Sequence, residues 1–314
     1  MVQKRDKDKR TLSLKKWKSP IPKKIHLIWI GADPPDYFKH FLDSFHKHLP
    51  EFEIRVWSNK ELNKKHFPIT MPYIRKAQRL QGKKIKVGSD VTHDERMYSM
   101  LNTKGENYTY SKWAQITDLM RLEIVFREGG YYFDTTFEIL KPMHDLFNMP
   151  KVKFVGCNEV PRFKDFHILS NSFFGAVKGS PILKRLLNKR TLDQIDFYAT
   201  SVDFETGPGF LRSAVKSTDP IKIFPSKYFY PFVEEYTPGQ DPPYRKSSKN
   251  KCHTLKQKSK NKKTNRKKNS VKVMRLKNKK GYLEIPCKKY PKSYALKHWQ
   301  LGKSWLISNY YLRD

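Results

Sequence analysis

The hydrophobic pattern near the start of the chain alternates between strands and helices. A short apolar run at residues 24–31 (KIHLIWIG) ends at a glycine and predicts a buried strand. Residues 36–50 (DYFKHFLDSFHKHLP) place large apolar side chains at helical spacing. Residues 52–57 (FEIRVW) alternate as a second strand, and residues 58–62 (SNKEL) supply a helix cap. This order of elements predicts an α/β fold with a parallel sheet.

The strongest helical pattern lies at residues 110–130 (YSKWAQITDLMRLEIVFREGG). A broad apolar stripe runs along it, and the closing Gly-Gly pair is a natural helix stop. Asp118 and Arg121 are three positions apart and therefore share a face of this predicted helix. A strand, YYFD at residues 131–134, follows directly. Helices and loops are predicted at 66–107, strands at 151–160, 171–177 and 221–226, helices at 180–190 and 207–217, and a hairpin at 271–286.

The net charge of +34 is concentrated in two segments. Residues 244–280 contain 17 Lys and Arg and no Asp or Glu, residues 1–24 contribute +8, and the rest of the chain carries only +9. A dense charge of one sign with few apolar residues predicts a disordered insertion at about 244–270. We therefore expect a basic tail at residues 1–20, followed by a single domain at 21–314 that contains this insertion.

The three cysteines are widely spaced and form no Cys-x-x-Cys pair. This spacing argues against a structural zinc site or a disulfide framework, and it favours a reducing compartment. The N-terminal residues contain no apolar run that would serve as a signal peptide, and no stretch approaches the roughly 18 apolar residues of a membrane span. We therefore expect a cytoplasmic protein without a transmembrane segment.

A carboxylate stands at the end of the predicted central strand, in GGYYFDTTFEIL at residues 129–140. The carboxyl ends of strands open into the ligand crevice of α/β sheets, so Asp134 is placed to hold a divalent cation. Such a cation neutralises a diphosphate and stabilises it as a leaving group. The alternative is a turn-initiating Asp that bonds its own backbone.

Five segments considered together are more informative than Asp134 alone. They occur in the order IPKKIHLIWIG, TDLMRLEIVFREGGYYFDT, NSFFGAV, TGPGFL and YALKHWQLGKSW. In this order they resemble the DXD-containing glycosyltransferases, a family that includes the Golgi initiating mannosyltransferases and, more distantly, the sugar-transferring domains of the large clostridial toxins. The resemblance implies a GT-A fold, with a Rossmann-like domain and a mixed, mainly parallel sheet between flanking helices. It also implies transfer of a sugar from a UDP- or GDP-linked donor to a hydroxyl of a glycan, protein or small molecule. The family usually uses Mn²⁺ (or Mg²⁺) and retains the anomeric configuration.

The resemblance assigns roles to three central residues. Asp118 matches the Asp of the family's Ser-Asp-x-x-Arg motif, with Thr117 in place of Ser, and Asp118 and Arg121 would contact the donor sugar. Without the resemblance, these two form an ordinary ion pair on a helix surface. Asp134 matches the first Asp of the Asp-Thr-Asp motif, whose third position here is Thr136. Because a neutral hydroxyl is a poorer ligand than a carboxylate, we expect metal affinity to fall.

The altered motif leaves four accounts open. Asp134 holds the metal with His298 and water; or Glu138 contributes; or the cation is dispensable because Lys or Arg neutralises the diphosphate; or activity is lost. His298 lies in the segment that matches the family's closing motif, with Trp299 and Trp305. An indole N–H of either tryptophan is able to donate to a phosphate.

Four further residues are candidate donor contacts. His26 and Trp29 lie on the first strand, where the family places its nucleotide base and where an aromatic ring is able to stack on the base. Core packing is the alternative for both. Asn171 begins a segment that approaches the sugar in relatives, or it is a turn residue. Gly207 permits close backbone approach to a ligand, or simply forms a tight loop before a helix.

Two other functions compete with an active transferase. The chain is then either a catalytically impaired GT-A scaffold, or a protein that binds polyanions or nucleic acid through its Lys-rich segments, chiefly residues 245–280, by counterion release. The absence of aromatic residues interleaved with these lysines argues against specific nucleic-acid binding.

Overall fold

The computed structural model contains a central six-stranded sheet. The described residues are 16–85, 101–104, 107–110, 112–158, 169–198, 202, 204–231, 253–256, 270–278, 281–286 and 291–297.

The central sheet has six strands in the order β10-β8-β9-β6-β1-β2. β9 is antiparallel to β8 and β6, whereas the other three neighbouring pairs are parallel. The predicted α/β fold with a mixed, mainly parallel sheet is therefore confirmed. Its strands are β1 (Lys24–Ile28), β2 (Glu53–Trp57), β6 (Gly130–Phe133), β8 (Phe154–Asn158), β9 (Leu169–Ala176) and β10 (Ile221–Phe224).

Helices flank this sheet, and apolar cores form on both of its faces. Alternation within the strands explains the two cores, because Ile25 and Leu27 belong to one and Ile28 to the other. The longest helix, α3, contacts β1, β6 and β9. The helices are α1 (Asp36–His48), α2 (Met71–Leu80), α3 (Trp113–Glu128), α4 (His144–Phe147), α5 (Pro181–Leu186), α6 (Lys189–Asp193) and α7 (Pro208–Ser213), with short 3₁₀ helices at Asn59–Glu61 and Ser226–Tyr228.

A pair of glycines ends α3 and begins β6. Gly129 has φ +68°, and a Cβ there would lie 2.8 Å from the backbone nitrogen of Lys178. Gly130 has φ +101°, and a Cβ there would lie 2.6 Å from the carbonyl oxygen of Lys24. Side chains disfavour both the positive φ and these approaches, so the Gly-Gly stop lets α3 turn directly into the central strand.

A buried carboxylate couples α3 to α2. Glu123 on α3 accepts hydrogen bonds from the backbone N–H groups of Ile69 (3.0 Å) and Thr70 (2.7 Å), and from the Thr70 hydroxyl (2.6 Å). These donors lie just before α2, where helix N–H groups lack partners within the helix. Glu123 therefore fixes the start of α2 on the helix that carries Asp118 and Arg121.

Smaller sheets lie outside the central one. β7 (Phe137–Ile139) pairs with β14 (Ala295–Lys297), and the predicted hairpin forms as β12 (Ser270–Asn278) and β13 (Gly281–Pro286). Three strands form where only helices and loops were expected, namely β3 (Lys84–Ile85), β4 (Leu101–Lys104) and β5 (Asn107–Tyr110).

The basic segments differ in part from expectation. β11 (His253–Lys256) lies inside the insertion predicted to be disordered, and it pairs with β12. Ladder hydrogen bonds to β12 offset the ordering entropy of this short stretch. Trp17, inside the predicted tail, packs edge-on against Phe52 with ring centroids 5.7 Å apart. The boundaries of a single domain at 21–314 otherwise stay a prediction. Over the ranges that the structure describes, no helix combines the length and apolarity needed to cross a membrane.

Candidate active site

Polar side chains gather at one edge of the central sheet. β1, β2 and β6 are parallel, so their carboxyl ends meet there. Asp134 directly follows β6, and its N–H donates to the carbonyl of Ser172 (2.8 Å). β9 runs in the opposite direction, so Asn171 near its start reaches the same edge. This edge is the usual place for a ligand in an open α/β sheet.

Asp118 contributes a buried carboxylate to this edge from α3. Its side chain is almost fully enclosed, with 4% of the residue exposed. Oδ1 accepts from Nδ2 of Asn171 (2.9 Å), and Oδ2 accepts from the Thr206 hydroxyl (2.9 Å). Nη2 of Arg121 lies 3.1 Å from Oδ1. The predicted shared face of Asp118 and Arg121 is therefore an ion pair, and it is buried rather than on the surface.

Arg121 links this carboxylate to the end of β6. Nη1 donates to the carbonyl of Asn171 (2.8 Å) and lies 3.3 Å from Oδ1 of Asp134. The guanidinium also lies 4.5 Å from the ring centroid of Tyr132, at cation–π distance. Arg121 thus stands between two carboxylates and holds Asp118 and Asp134 at fixed positions.

Asp134 is held by three neighbours. The Tyr132 hydroxyl donates to Oδ1 (2.7 Å), Arg121 contacts the same oxygen, and the Lys297 ammonium donates to Oδ2. Burial alone would raise the pKa of Asp134, but the positive charges of Lys297 and Arg121 outweigh burial and hold its pKa below the ordinary value. Asp134 is therefore an ionised carboxylate, and its side chain is 25% exposed.

Lys297 is a site residue that sequence reasoning missed. It ends β14, opposite Phe137 in the ladder with β7, and its N–H donates to the carbonyl of Phe229 (3.1 Å). Its side chain is 2% exposed and passes the ring of Phe137, with Nζ 5.3 Å from the centroid. The sequence did contain one signal, namely Thr136 in place of the second Asp of the motif. A motif with one carboxylate needs less positive charge to balance it, so a single side-chain cation is sufficient. Because Lys297 lies 163 residues from Asp134, the sequence did not indicate which lysine pairs with this carboxylate.

The described donor set does not fit a divalent metal ion while Lys297 is paired. Both oxygens of Asp134 are engaged, and Thr136 is 4% exposed with no described residue hydrogen-bonded to its hydroxyl. Within the described part of the chain, no group of three or more His, Cys, Asp or Glu side chains is arranged so that it could hold a metal ion. A dication about 4 Å from an ammonium would be repelled by roughly 8 kcal/mol at an effective dielectric constant of about 20. The third predicted ligand, His298, lies outside the described residues.

The structure gives His26 a place in the core. Its Nε2–H donates to the carbonyl of Gly129 (2.8 Å), and the indole N–H of Trp57 donates to Nδ1 (3.3 Å). Burial lowers the pKa of His26 to about 4, so the imidazole is neutral at neutral pH. Both ring nitrogens are satisfied internally, which favours the packing alternative over contact with a nucleotide base.

The other predicted donor contacts vary in their placement. Trp29 follows β1, is partly exposed and donates its indole N–H to the carbonyl of Ala32 (2.8 Å). Gly207 is buried at the start of α7, beside the Thr206 that bonds Asp118. Thr206 was not predicted, although its neighbour was. Trp299 and Trp305 lie outside the described residues.

The sequence comparison gives one family match. Residues 35–153 match the family model described as glycosyltransferase sugar-binding region containing DXD motif, and this region includes Asp118, Arg121, Asp134 and Thr136. No curated protein sequence matches the chain significantly.

Solved structures similar to this chain at low identity include two glycosyltransferases and the catalytic domain of a toxin. PaToxG glycosyltransferase is 17% identical, with 63% of this chain and 70% of that chain covered and a TM-score of 0.40. The UDP-bound glycosyltransferase domain of the YGT toxin is 11% identical (65% and 79% covered, TM-score 0.39). The catalytic domain of alpha-toxin from Clostridium novyi is also 11% identical (62% and 72% covered, TM-score 0.37). The family match supports the predicted enzyme class, because residues 35–153, about two fifths of the chain, are similar to a glycosyltransferase sugar-binding region of the DXD type.

Proposed function

We propose that this protein transfers a sugar from a nucleoside-diphosphate sugar to an acceptor hydroxyl. The observation that carries the proposal is the buried cluster of Asp118, Arg121 and Asp134 at the carboxyl edge of the sheet, inside the region that matches the family model. Structural ion pairs are usually exposed and weak, whereas this one is buried where α/β sheets bind ligands. A UDP- or GDP-linked donor and retention of anomeric configuration follow from the family resemblance.

The cluster suits recognition of a sugar and its diphosphate. The Asp118 carboxylate accepts hydrogen bonds from Asn171 and Thr206, and in the same position it accepts from sugar hydroxyls. Arg121 and Lys297 place two positive charges beside Asp134, where the negative charge of the leaving diphosphate develops. Trp29, partly exposed after β1, remains a candidate stacking partner for the base. Phosphate contacts by His298, Trp299 and Trp305 belong to the same proposal.

Thermal unfolding against UDP, GDP and their common sugar conjugates tests this function. A ligand present at about 100 times its dissociation constant adds roughly 2.7 kcal/mol, a clear shift in melting temperature. One stabilising donor should then be consumed in the presence of acceptors, and proton NMR of the product reads the anomeric configuration. If no nucleotide or nucleotide sugar shifts the melt, with or without Mn²⁺, the proposed function is wrong.

Two measurements on the same purified protein distinguish the two alternatives, a catalytically impaired scaffold and a polyanion-binding protein. Nucleotide binding without turnover over a broad acceptor panel indicates a scaffold. Salt-sensitive retention of polyanions that disappears when residues 257–269 are deleted indicates binding through the Lys-rich insertion. Donor turnover that survives this deletion supports the transferase.

A further inference from the structure

We propose that the ammonium of Lys297 takes the place of the divalent cation, so that this transferase works without a metal ion. This inference rests on the proposed function. The observation behind it is an ion pair between Lys297 and Asp134, the carboxylate that begins the Asp-Thr-Thr motif. It assigns Lys297 a catalytic role that the sequence motif alone does not indicate.

Charge balance favours this substitution. The usual Asp-Thr-Asp motif carries two negative charges, which a dication neutralises. In this chain, Thr136 removes one of those charges, and one ammonium neutralises the remaining carboxylate of Asp134. The local charge presented to the diphosphate is therefore the same in both arrangements, and the two changes compensate each other.

The backbone delivers Lys297 to a fixed position. β14 pairs with β7 immediately after the motif, with Lys297 opposite Phe137, and the Lys297 N–H is bonded to Phe229. The whole Lys297 side chain, including its ammonium, is enclosed at 2% exposure, while the side chain of Asp134 that it neutralises remains 25% exposed. An ammonium held this way is preorganised, and a preorganised charge stabilises a developing anion without costly rearrangement.

The chemistry that this charge assists is a balanced transfer. The bond between the anomeric carbon and the diphosphate oxygen breaks, and a bond from the anomeric carbon to the acceptor oxygen forms. The acceptor proton passes to the departing diphosphate, which leaves as a nucleoside diphosphate. Lys297 and Arg121 neutralise the negative charge that accumulates on this leaving group.

Metal dependence of nucleotide binding tests the proposal directly. UDP and GDP are titrated by calorimetry into the wild-type protein, in excess EDTA and in excess MnCl₂, and Mn²⁺ electron paramagnetic resonance reads the bound ion. We expect affinity in EDTA to match that in MnCl₂ within about twofold. Lys297→Met should weaken binding by about tenfold to hundredfold in both conditions, the range of one lost charged contact. Lys39→Met, at an exposed ion pair on α1, is the matched control and should change nothing.

A double variant separates charge supply from mere support of the fold. Thr136→Asp combined with Lys297→Met restores the usual motif and removes the ammonium. We expect it to bind Mn²⁺ and to recover nucleotide affinity in MnCl₂ but not in EDTA, a rescue that a purely structural role of Lys297 would not produce. Circular dichroism melts check folding. If Lys297→Met does not fold, the wild-type comparison in EDTA still decides whether nucleotide binding needs a metal ion.

Each failure has its own signature. Wild-type protein that binds UDP or GDP only with Mn²⁺ overturns the role of Lys297 and leaves the proposed function standing. Protein that binds neither the nucleotides nor their sugar conjugates in either condition overturns the proposed function, and the inference with it. Equal affinity of Lys297→Met and wild type in EDTA also overturns the inference.

Discussion

The buried pair of Asp118 and Arg121 allows a quantitative test of the site. In Asp118→Asn the amide still accepts from one neighbour, and the Thr206 hydroxyl is able to reverse and accept from the new NH₂ group. The variant therefore loses mainly charge. Breaking a buried ion pair costs about 3–5 kcal/mol, and Asp134, 3.3 Å from Arg121, retains part of the compensation. We expect a loss of about 3 kcal/mol in the free energy of unfolding.

Urea unfolding followed by tryptophan fluorescence measures this loss. With an m-value of about 3 kcal/mol/M, the midpoint should fall by about 1 M. Asp43→Asn removes the acidic partner of an exposed pair on α1 and should cost at most about 1 kcal/mol. A shift for Asp118→Asn no larger than that of this control would refute the reasoning, because it would mean that the Asp118–Arg121 pair is solvated.

The same variant has a distinct effect on binding. Asp118 is proposed to contact the sugar and not the nucleotide. Affinity for the nucleotide sugar should therefore fall about tenfold to hundredfold, while affinity for the nucleoside diphosphate alone stays unchanged. Equal losses for both ligands would place Asp118 at the diphosphate instead.

Three further predictions concern the frame of the site. Gly130→Ala brings a methyl group to 2.6 Å from the Lys24 carbonyl oxygen and should cost about 2–4 kcal/mol in urea unfolding, against about 1 kcal/mol for Gly82→Ala, whose site is open. Glu123→Gln keeps one acceptor oxygen but turns its NH₂ group toward a backbone N–H donor, and with the lost charge it should cost about 3 kcal/mol in the same assay; a cost below that of Gly82→Ala would contradict the described bonds. The folded pKa of His26, about 4, lies below its unfolded value of 6.5, so stability is fully present above pH 6.5 and falls by about 3 kcal/mol toward pH 4. His26→Gln should flatten the pH profile of the melting temperature over this window, and an unchanged slope would assign it to other groups.

The sequence predicted the parts of the site that depend on local periodicity. Asp118 and Arg121 share a helical face, and the Gly-Gly stop brings Asp134 next to them. These relations follow from helix and strand geometry over fewer than twenty residues. The start of β9 reaches the same edge, because Asn171 bonds Asp118, while its contact with a donor sugar stays a prediction.

Other parts depend on packing that no local pattern records. If one face of β1 were exposed to solvent, His26 would lie at the surface. Apolar cores cover both faces of this sheet, so His26 is buried beside Trp57. Thr206 and Lys297 approach from loops and a short strand whose partners are distant in sequence. The carboxylates were therefore predictable, whereas the cation that balances Asp134 was not.

The pairing of Asp134 with Lys297 has a consequence for biosynthesis. All six strands of the central sheet are complete by residue 224, while the lysine comes 163 residues after its carboxylate. At synthesis rates of about 5–20 residues per second, the ribosome adds this lysine roughly 8–30 s after Asp134. A nascent chain can therefore form its central sheet well before the charge that balances the motif arrives. The ion pair of Lys297 with Asp134 would thus form only when β14 docks against β7.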